Sequence, residues 1–172
     1  MSIEFKIVDE YPKEIQRELM KRNLEDAQIF FHPDSYLGAG DKGHKRESKK
    51  VKVAAYAGDR LIGISYGSAV NKNRFMMEVS LVEKEFRGQG IYSKMLELVL
   101  SNTREFDEID SCHHQFNSRI IAKKLKHNFY IIGLEIGPAV GPILRMRYFN
   151  NQKLLSIMKF RMGLIEKSEV DS

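Results

Sequence analysis

The segment RGQG, residues 87–90, has the residue types best suited to binding chemistry. It follows an alternating pattern typical of a strand at Arg74–Val82 and precedes apolar residues at helical spacing from Ile91. In such a turn the backbone amides point into one concavity, and the helix start adds its unpaired amides and the positive end of its dipole. Because glycine has no Cβ, an anion can approach the backbone closely. The segment therefore predicts a diphosphate site with Arg87 at its mouth.

Two better-known phosphate-binding loops are absent. Only one Gly-x-Gly occurs in the segment and no third glycine follows, so the dinucleotide fingerprint GxGxxG is not present. The P-loop pattern GxxxxGK[ST] does not occur either. On the glycines alone, a tight strand-to-helix turn without a ligand is an equally good interpretation.

Length and composition indicate one globular domain. The chain has 172 residues, of which 42% are hydrophobic and 30% charged, so it can form a packed core. No stretch approaches the roughly 18 apolar residues that a membrane span needs. The N-terminal segment MSIEFKIVDE lacks the pattern of a signal peptide. We therefore expect a soluble cytoplasmic protein without a membrane span.

Cysteine content and charge exclude several classes of function. The single cysteine, Cys112, excludes an internal disulfide framework and makes a cysteine-based zinc site implausible, and no metal is expected. The net charge of +5 favours acidic partners or ligands but is spread thinly. No helix-turn-helix, zinc-finger or RNA-recognition pattern is present, so nucleic acid is not an expected partner.

Hydrophobic periodicity predicts an α/β domain with a mixed sheet, because hairpin strands pass into strand–helix–strand units. In the strand Arg74–Val82, one face is predicted to carry Phe75, Met77, Val79 and Leu81, and the other Met76, Glu78, Ser80 and Val82. Between residues 30 and 50 a long loop is expected, with a short helix near Asp34–Leu37. The predicted strands are Ile3–Val8, Val51–Ala57, Leu61–Val70, Arg74–Val82, Asp107–Cys112, Phe129–Ile136 and Ile143–Phe149, and the predicted helices are Pro12–Asp26, Ile91–Arg104, Asn117–His127 and one in the tail from Gln152.

The segment VEKEFRGQGIYSKML, residues 82–96, resembles the acetyl-CoA motif of the GNAT superfamily of N-acetyltransferases. That motif has a strand, an aromatic residue and then Arg/Gln-x-x-Gly-x-Gly/Ala at the start of a helix. Phe86, Arg87 and Gly90 match it, whereas Tyr92 stands where the family usually has Gly or Ala.

A second segment, NSRIIAKKLKHNFYIIG, residues 117–133, is similar to another cofactor motif of the same family. In that motif an asparagine begins a helix and a Gly-Phe pair follows twelve residues later. Asn117 and Phe129 fit this spacing, and Asn128 takes the glycine position. Asparagine is compatible there with a left-handed helix cap.

The resemblance implies a GNAT-type mixed central sheet flanked by helices on both faces over residues 1–150, followed by a basic amphipathic tail at 151–172. It also implies that acetyl-CoA is a co-substrate. The strand edge at Leu81 and Val82 would pair with the pantetheine arm, Asn117 would hydrogen-bond that arm, and the turn would hold the pyrophosphate. The residues implied for the turn are Arg87, Gly88, Gln89, Gly90, Ile91, Tyr92 and Ser93.

Direct transfer needs an uncharged amine, so a base must remove a proton from it. Glu78 is the first candidate, since a carboxylate in an otherwise apolar strand is costly to bury without purpose. His113 is the second candidate because histidine titrates near neutrality. The alternatives are a Glu78 that points outward or is salt-bridged, and a His113 that lies at the surface or makes a hydrogen bond in the core. Cys112 is instead expected to be a small core residue.

The general acid is open. Where the family often has a tyrosine, seven residues after the asparagine, this chain has Lys124. Tyr92, Tyr130 or solvent could supply the proton instead. Because of this departure, a second function remains open: a module that binds coenzyme A but does not catalyse transfer.

The acceptor is expected to be a primary amine on a small molecule or a peptide. The loop 42–52 carries six basic residues, which would attract an acidic acceptor or would simply be solvated. The tail could pack on the domain, pair two subunits as a homodimer or touch a membrane surface. The six basic residues are Lys42, Lys45, Arg46, Lys49, Lys50 and Lys52.

Overall fold

A computed structural model describes residues 2–24, 48–137 and 141–170. Seven strands form one sheet in the order β1-β2-β3-β4-β5-β7-β6. The helix predicted near Asp34–Leu37 lies outside the described residues. The elements are β1 (Ile3–Ile7), α1 (Lys13–Leu24), β2 (Lys50–Ala57), β3 (Arg60–Ala69), β4 (Arg74–Val82), α2 (Ile91–Ser101), β5 (Glu108–His114), α3 (Ser118–Lys126), β6 (Tyr130–Gly137), β7 (Gly141–Phe149) and α4 (Gln152–Arg161), with single 3-10 turns at Lys84–Phe86 and Lys167–Glu169.

The sheet is mixed, as predicted. Strands β1 to β4 follow one another as antiparallel neighbours. The chain then crosses through α2, and β5 pairs with β4 in parallel. Strand β7 lies between β5 and β6 and is antiparallel to both. Strand β4 therefore stands in the middle, with hairpin strands on one side and crossover strands on the other.

Helices cover both faces of the sheet, which confirms the predicted layers. On one face Leu19 of α1 packs with Ala54, Leu61 and Ile64, and Tyr11 joins this group. On the other face α2 contributes a buried stripe at helical spacing, and α3 adds Ile120 and Ile121 at its margin. The stripe consists of Ile91, Tyr92, Met95, Leu96 and Val99.

A β-bulge in β4 changes the predicted alternation of its side chains. Tyr66 of β3 pairs with Val79 and Gly67 pairs with Met77, so Glu78 is an extra residue without a direct partner on β3. The strands are tight at this point, since a Cβ at Gly67 would clash with the Met76 carbonyl oxygen.

The bulge moves the second half of β4 by one residue relative to the sheet faces. Phe75, Met77 and Val82 belong to the core under α2, whereas Val79 and Leu81 pack with the core under α1. The prediction that Phe75, Met77, Val79 and Leu81 share one face was therefore wrong beyond the bulge. A bulge leaves no signature in a sequence of alternating apolar and polar residues.

The tail forms the predicted helix. The Asn151 side chain caps α4 by accepting from the amides of Lys153 and Leu154. The Asn150 side chain donates to the carbonyls of Thr103 and Phe106, at 2.9 Å and 2.7 Å, and so ties the start of the tail to the turn before β5. Among the helices of the described segments, none is long and apolar enough to cross a bilayer.

The Tyr11 hydroxyl gives a stability prediction. It is buried and lies 3.1 Å from the Val53 carbonyl oxygen and 3.0 Å from that of Ser65, which it bridges. We expect Tyr11→Phe to lower the free energy of unfolding by about 1–2 kcal/mol, because a buried hydrogen bond is lost. Urea denaturation measures this change. Tyr56→Phe is the matched control, since the Tyr56 hydroxyl makes no hydrogen bond to the described residues, and equal losses in both variants would contradict the assignment.

Candidate functional site

Strands β4 and β5 separate part of the way along the sheet. They pair in parallel over four residue pairs, from Arg74 with Glu108 to Met77 with Ser111. Beyond these pairs β4 stays bonded to β3 as far as Val82, and β5 stays bonded to β7 as far as His114. The facing edge of β4, residues 78–82, has no strand partner in the described part of the chain. We call the space between residues 78–82 and 112–114 the wedge.

The turn that follows β4 has an open face and free backbone amides. Gly88 and Gly90 have φ values of 83° and 80°, in the left-handed region that favours glycine, and a Cβ at either would meet no atom within 4 Å. Within the described chain, the backbone amides of residues 88–93 donate to no protein acceptor. Open space and free donors at a helix start are features that an anion site requires. We call residues 87–93 the phosphate loop.

Neighbouring side chains hold the phosphate loop in place. Arg60, at the start of β3, pairs with the carboxylates of Glu83 and Glu85 and lies 5.5 Å from the Phe86 ring centroid. Glu83 itself is buried. The Arg87 guanidinium turns back along the chain, and its Nε donates to the Val82 carbonyl at 3.0 Å. A ligand chain pairing with Val82 would therefore share that carbonyl with Arg87.

Tyr92, which departs from the motif, points into the core rather than into the loop. Its ring is buried with the α2 stripe, and burial raises the pKa of its hydroxyl. That hydroxyl has no hydrogen-bond partner among the described residues. Its neighbour Ser93 is half-buried in the first turn of α2. The phosphate loop thus keeps its open face despite the large residue.

Asn117 lies on the opposite side of the wedge, where β5 passes into α3. It occupies the cap position of α3, yet its side chain makes no capping hydrogen bond. The backbone carbonyl of Asn117 accepts from the amides of Ile120 and Ile121 instead. Asparagine at this position ordinarily caps with its side chain. In this structure its side chain is exposed instead.

Glu78 is the bulge residue of β4 and is exposed. The Ser68 hydroxyl donates to its carboxylate. Of the two alternatives that the sequence left open for Glu78, the structure has the outward one, because the bulge turns the residue out of the sheet's alternation. Its backbone lies next to the apex of the wedge, one residue beyond the last pair with β5.

His113 lies on β5, and its Nε2 is 3.2 Å from the Ser111 hydroxyl. Burial, with a further contribution from the charge of Lys124, lowers the pKa of His113 to about 4. Of the alternatives for His113, the structure has the hydrogen-bonded imidazole. At neutral pH this imidazole is uncharged and is a weak base.

Lys124 is the site residue whose environment the sequence did not reveal. Its side chain is 1% exposed, and its Nζ lies 2.9 Å from the Met77 sulfur and 3.9 Å from the Phe129 ring centroid. No oxygen accepts a hydrogen bond from it in the described part of the chain. Burial lowers its pKa to about 7. The sequence shows only a lysine at the expected tyrosine position, and only packing reveals its burial.

The end of α3 explains how Phe129 comes to lie beside Lys124. The amide of Phe129 donates to the Lys124 carbonyl at 3.0 Å, and the amide of Asn128 donates to that of Leu125 at 3.1 Å. Asn128 has φ 60°, the left-handed cap that its place in the motif predicts. These bonds form a Schellman motif, in which the residue after the cap folds back onto the last turn. The cap thus places the aromatic ring against the lysine side chain.

Two other candidates for proton transfer or nucleophilic chemistry are placed less favourably. Tyr130 lies on β6, two strands away from β5, and pairs with Arg147 at the closed end of the wedge. Cys112 is exposed on β5, so the expectation that it is a small core residue was wrong. Desolvation raises the pKa of its thiol, so the thiolate needed for nucleophilic attack is disfavoured. Within the described segments, no group of three or more His, Cys, Asp or Glu side chains could hold a metal ion.

Comparison with known proteins shows the fold. No protein-family model and no curated protein sequence matches the chain. Among solved structures, the ribosomal-protein-S18-alanine N-acetyltransferase from Escherichia coli has a TM-score of 0.65 and 8% identity, with 86% of this chain and 94% of that chain covered. An aminoglycoside 6'-N-acetyltransferase complexed with coenzyme A has a TM-score of 0.61 and 13% identity, with 86% and 97% covered.

A third solved structure, a GNAT family acetyltransferase from Elizabethkingia anophelis with acetyl-CoA bound, has a TM-score of 0.60 and 12% identity, with 86% of this chain and 97% of that chain covered. These proteins are acetyltransferases, and the mixed seven-stranded sheet with helices on both faces is shared with them. The chain has the GNAT acetyltransferase fold, as the resemblance of residues 82–96 and 117–133 implied.

The buried lysine gives a pH prediction. Burial lowers the pKa of Lys124 from 10.5 to about 7, so between these values the unfolded chain binds one more proton than the folded protein. The Lys124 contribution to the free energy of unfolding should therefore rise as pH increases from 7 to 10, by at most about 1.4 kcal/mol per pH unit. Urea denaturation across this range measures it.

Other groups also titrate over that range, so the control is Lys124→Met, which keeps the length of the side chain and removes the charge. The difference in the free energy of unfolding between the wild type and this variant isolates the contribution of the Lys124 charge. We expect the variant to be the more stable protein near pH 7 and the advantage to shrink toward pH 10. A difference that does not change with pH would contradict the lowered pKa.

Proposed function

We propose that this protein is an N-acetyltransferase that moves the acetyl group of acetyl-CoA directly to a primary amine. The observation that carries the proposal is the order of two features along the chain: the unpaired edge of β4 is followed, after the single turn Lys84–Phe86, by the phosphate loop. A ligand with an extended, amide-containing arm that ends in a pyrophosphate would pair its arm with the strand edge and place its pyrophosphate at the loop. Coenzyme A has that chemical form, and two of the fold relatives bind coenzyme A or acetyl-CoA.

The site residues fit the coenzyme as follows. The pantetheine arm pairs with the β4 edge at Leu81 and Val82 in the manner of an added strand. Asn117 donates to the same arm from across the wedge. The pyrophosphate takes the free amides of residues 88–93, with the Ser93 hydroxyl beside them. An arm lying along β4 from Val82 to Glu78 covers roughly 13 Å, at about 3.3 Å per residue, which brings its acyl end to the bulge.

Glu78 is the proposed base. The attacking amine must lose a proton, and Glu78 lies beside the point where the acyl group arrives. Its exposure suits a role that relays the proton through water and leaves room for an acceptor. The low pKa of His113, about 4, makes that imidazole the poorer candidate at neutral pH. His113 then serves as a neutral hydrogen-bonding group in the wedge.

The acceptor is a primary amine of a small molecule or a peptide. The two relatives named for their acceptors act on an alanine of a ribosomal protein and on an aminoglycoside, so the fold accommodates both kinds. An acidic acceptor was expected from the basic loop 42–52. Within that loop, Lys49 pairs with Glu105 and Lys52 with Glu10, so these two charges are already compensated. Lys42, Lys45 and Arg46 lie outside the described residues.

The first test is coenzyme binding. We expect Gly90→Val to weaken acetyl-CoA binding at least tenfold, about 1.4 kcal/mol, because the side chain would occupy the open face of the phosphate loop. Isothermal titration calorimetry measures the affinity. Gly163→Val is the matched control, since Gly163 also has positive φ, at 70°, with nothing within 4 Å of a Cβ, but follows α4. Equal affinities in both folded variants would remove the phosphate loop from the proposal.

The second test is turnover. Incubation with acetyl-CoA and a panel of amines (a polyamine, an aminoglycoside, lysine and a peptide with a free α-amino group) should release coenzyme A thiol with at least one acceptor. A thiol-reactive dye detects the release, and mass spectrometry detects the acetylated amine. Tight coenzyme binding without release for any amine would favour the silent binding module instead.

The third test concerns Glu78. We expect Glu78→Gln to lower kcat by roughly 10²–10⁴-fold while acetyl-CoA affinity stays constant, because the amide keeps the shape but cannot accept a proton. Raising the pH should partly restore the rate, since more of the acceptor amine is then neutral. Glu4→Gln on the distant edge strand β1 is the control and should leave kcat unchanged. Near-normal turnover of the Glu78 variant at neutral pH would exclude Glu78 as the base.

A further inference from the structure

The buried ammonium of Lys124 has hydrogen-bonding capacity that the protein does not use. A lysine ammonium has three N–H donors. One N–H donor points at the Met77 sulfur, which is a weak acceptor, and the ammonium lies over the Phe129 ring. No carboxylate or carbonyl of the described residues accepts a hydrogen bond from the other donors. Burying a cation in this way costs stability. Unsatisfied ionisable groups of this kind are concentrated at functional sites.

The position of this ammonium is defined by the wedge. Met77, which it contacts, is the last residue of β4 that pairs with β5, so Lys124 Nζ lies at the apex where the strands separate. From β5, His113 is close enough for the Lys124 charge to lower its pKa.

Groups from three elements face the Lys124 ammonium. Strand β4 presents the Met77 thioether, with Glu78 next along the strand, and β5 presents the His113 imidazole. The segment after α3 presents the Phe129 ring. On α3 itself the flanking Lys123 and Lys126 are more exposed than Lys124. Burial, rather than any of these charges, is the cause of the lowered pKa.

We propose that Lys124 donates a proton to the sulfur of coenzyme A as the acetyl group leaves it. This inference rests on the proposed function and extends it with a proton donor. A lysine on helix α3, held at the apex of the wedge, takes the place of a hydroxyl acid. The other hydroxyls are less well placed. Tyr92 is buried on the inner face of α2, and Tyr130 lies on β6, two strands away from β5.

The proton and electron count of the step is as follows. The amine nitrogen forms a bond to the thioester carbonyl carbon, and the C–S bond breaks with its electron pair on sulfur. The sulfur takes one proton from the Lys124 ammonium and leaves as the thiol. The amine loses one proton through Glu78, and exchange with solvent reprotonates Lys124 and deprotonates Glu78. With a pKa of about 7, Lys124 is able both to give and to regain its proton near neutrality.

The first experiment needs no acceptor. Coenzyme A is bound to the wild type and to Lys124→Met, and thiolate formation is followed by ultraviolet absorbance as pH rises. An ammonium in contact with the sulfur stabilises the thiolate, so we expect it to appear about 1 pH unit or more lower in the wild type than in the variant. Identical titrations of bound coenzyme A would overturn the inference alone, and failure of the wild type to bind coenzyme A would overturn the proposed function as well.

The second experiment separates proton donation from a structural role. With acetyl-CoA and the best acceptor of the amine panel, Lys124→Met should lower kcat by roughly tenfold or more without changing acetyl-CoA affinity. With the selenoester analogue of acetyl-CoA, whose selenol leaves readily without a proton, the wild type and the variant should have nearly equal rates. A defect of the same size with both donors would overturn the inference. So would mass-spectrometric detection of wild-type protein acetylated at Lys124 and inactive, which would make the lysine an acceptor.

Discussion

The hydrogen bonding between β4 and β5 ends after four residue pairs, and the candidate site exists because it ends there. Each strand keeps one partner beyond that point, β3 for β4 and β7 for β5, so the separation leaves only one edge of each without hydrogen bonds. The bulge at Glu78 bends and twists β4 at the place where the separation starts. A ligand with amide groups can form hydrogen bonds with the backbone of the open edge, whereas a fully paired sheet has no free backbone donors or acceptors for it.

A network of ion pairs fixes the closed end of the wedge. Arg147 of β7 makes two hydrogen bonds to the buried Asp110, at 2.6 Å and 2.8 Å, and a third to Glu108 at 2.6 Å. Arg74 of β4 donates to the same Glu108 at 3.0 Å. These charge-assisted bonds join β4, β5 and β7 at one level of the sheet and define their register. Because the closed end is held rigidly, the open end can stay unpaired without loss of the fold.

Local features of the sequence predicted most of the architecture, including the turn between β4 and α2. The glycine positions of residues 88 and 90 and the left-handed Asn128 cap follow from rules that act within one turn of chain. The bulge, the exposure of Glu78 and the burial of Lys124 could not be predicted in this way. Each depends on which residues of distant strands meet, as with Gly67 against Met76. The low pKa of His113 has the same origin, since burial and Lys124 both act through tertiary packing.

The placement of Lys124 shows how local and tertiary effects combine in the site. The Schellman motif at the end of α3 brings Phe129 under the last turn, and the aromatic face partly compensates a cation that has left water. That compensation is incomplete, because a ring and a thioether are weak partners for an ammonium. The lysine is therefore held where its charged and neutral forms are close in free energy at neutral pH. A carboxylate in place of the Met77 sulfur would pair with the ammonium and hold its proton, so the weakness of its contacts is what keeps that proton available at the apex of the wedge.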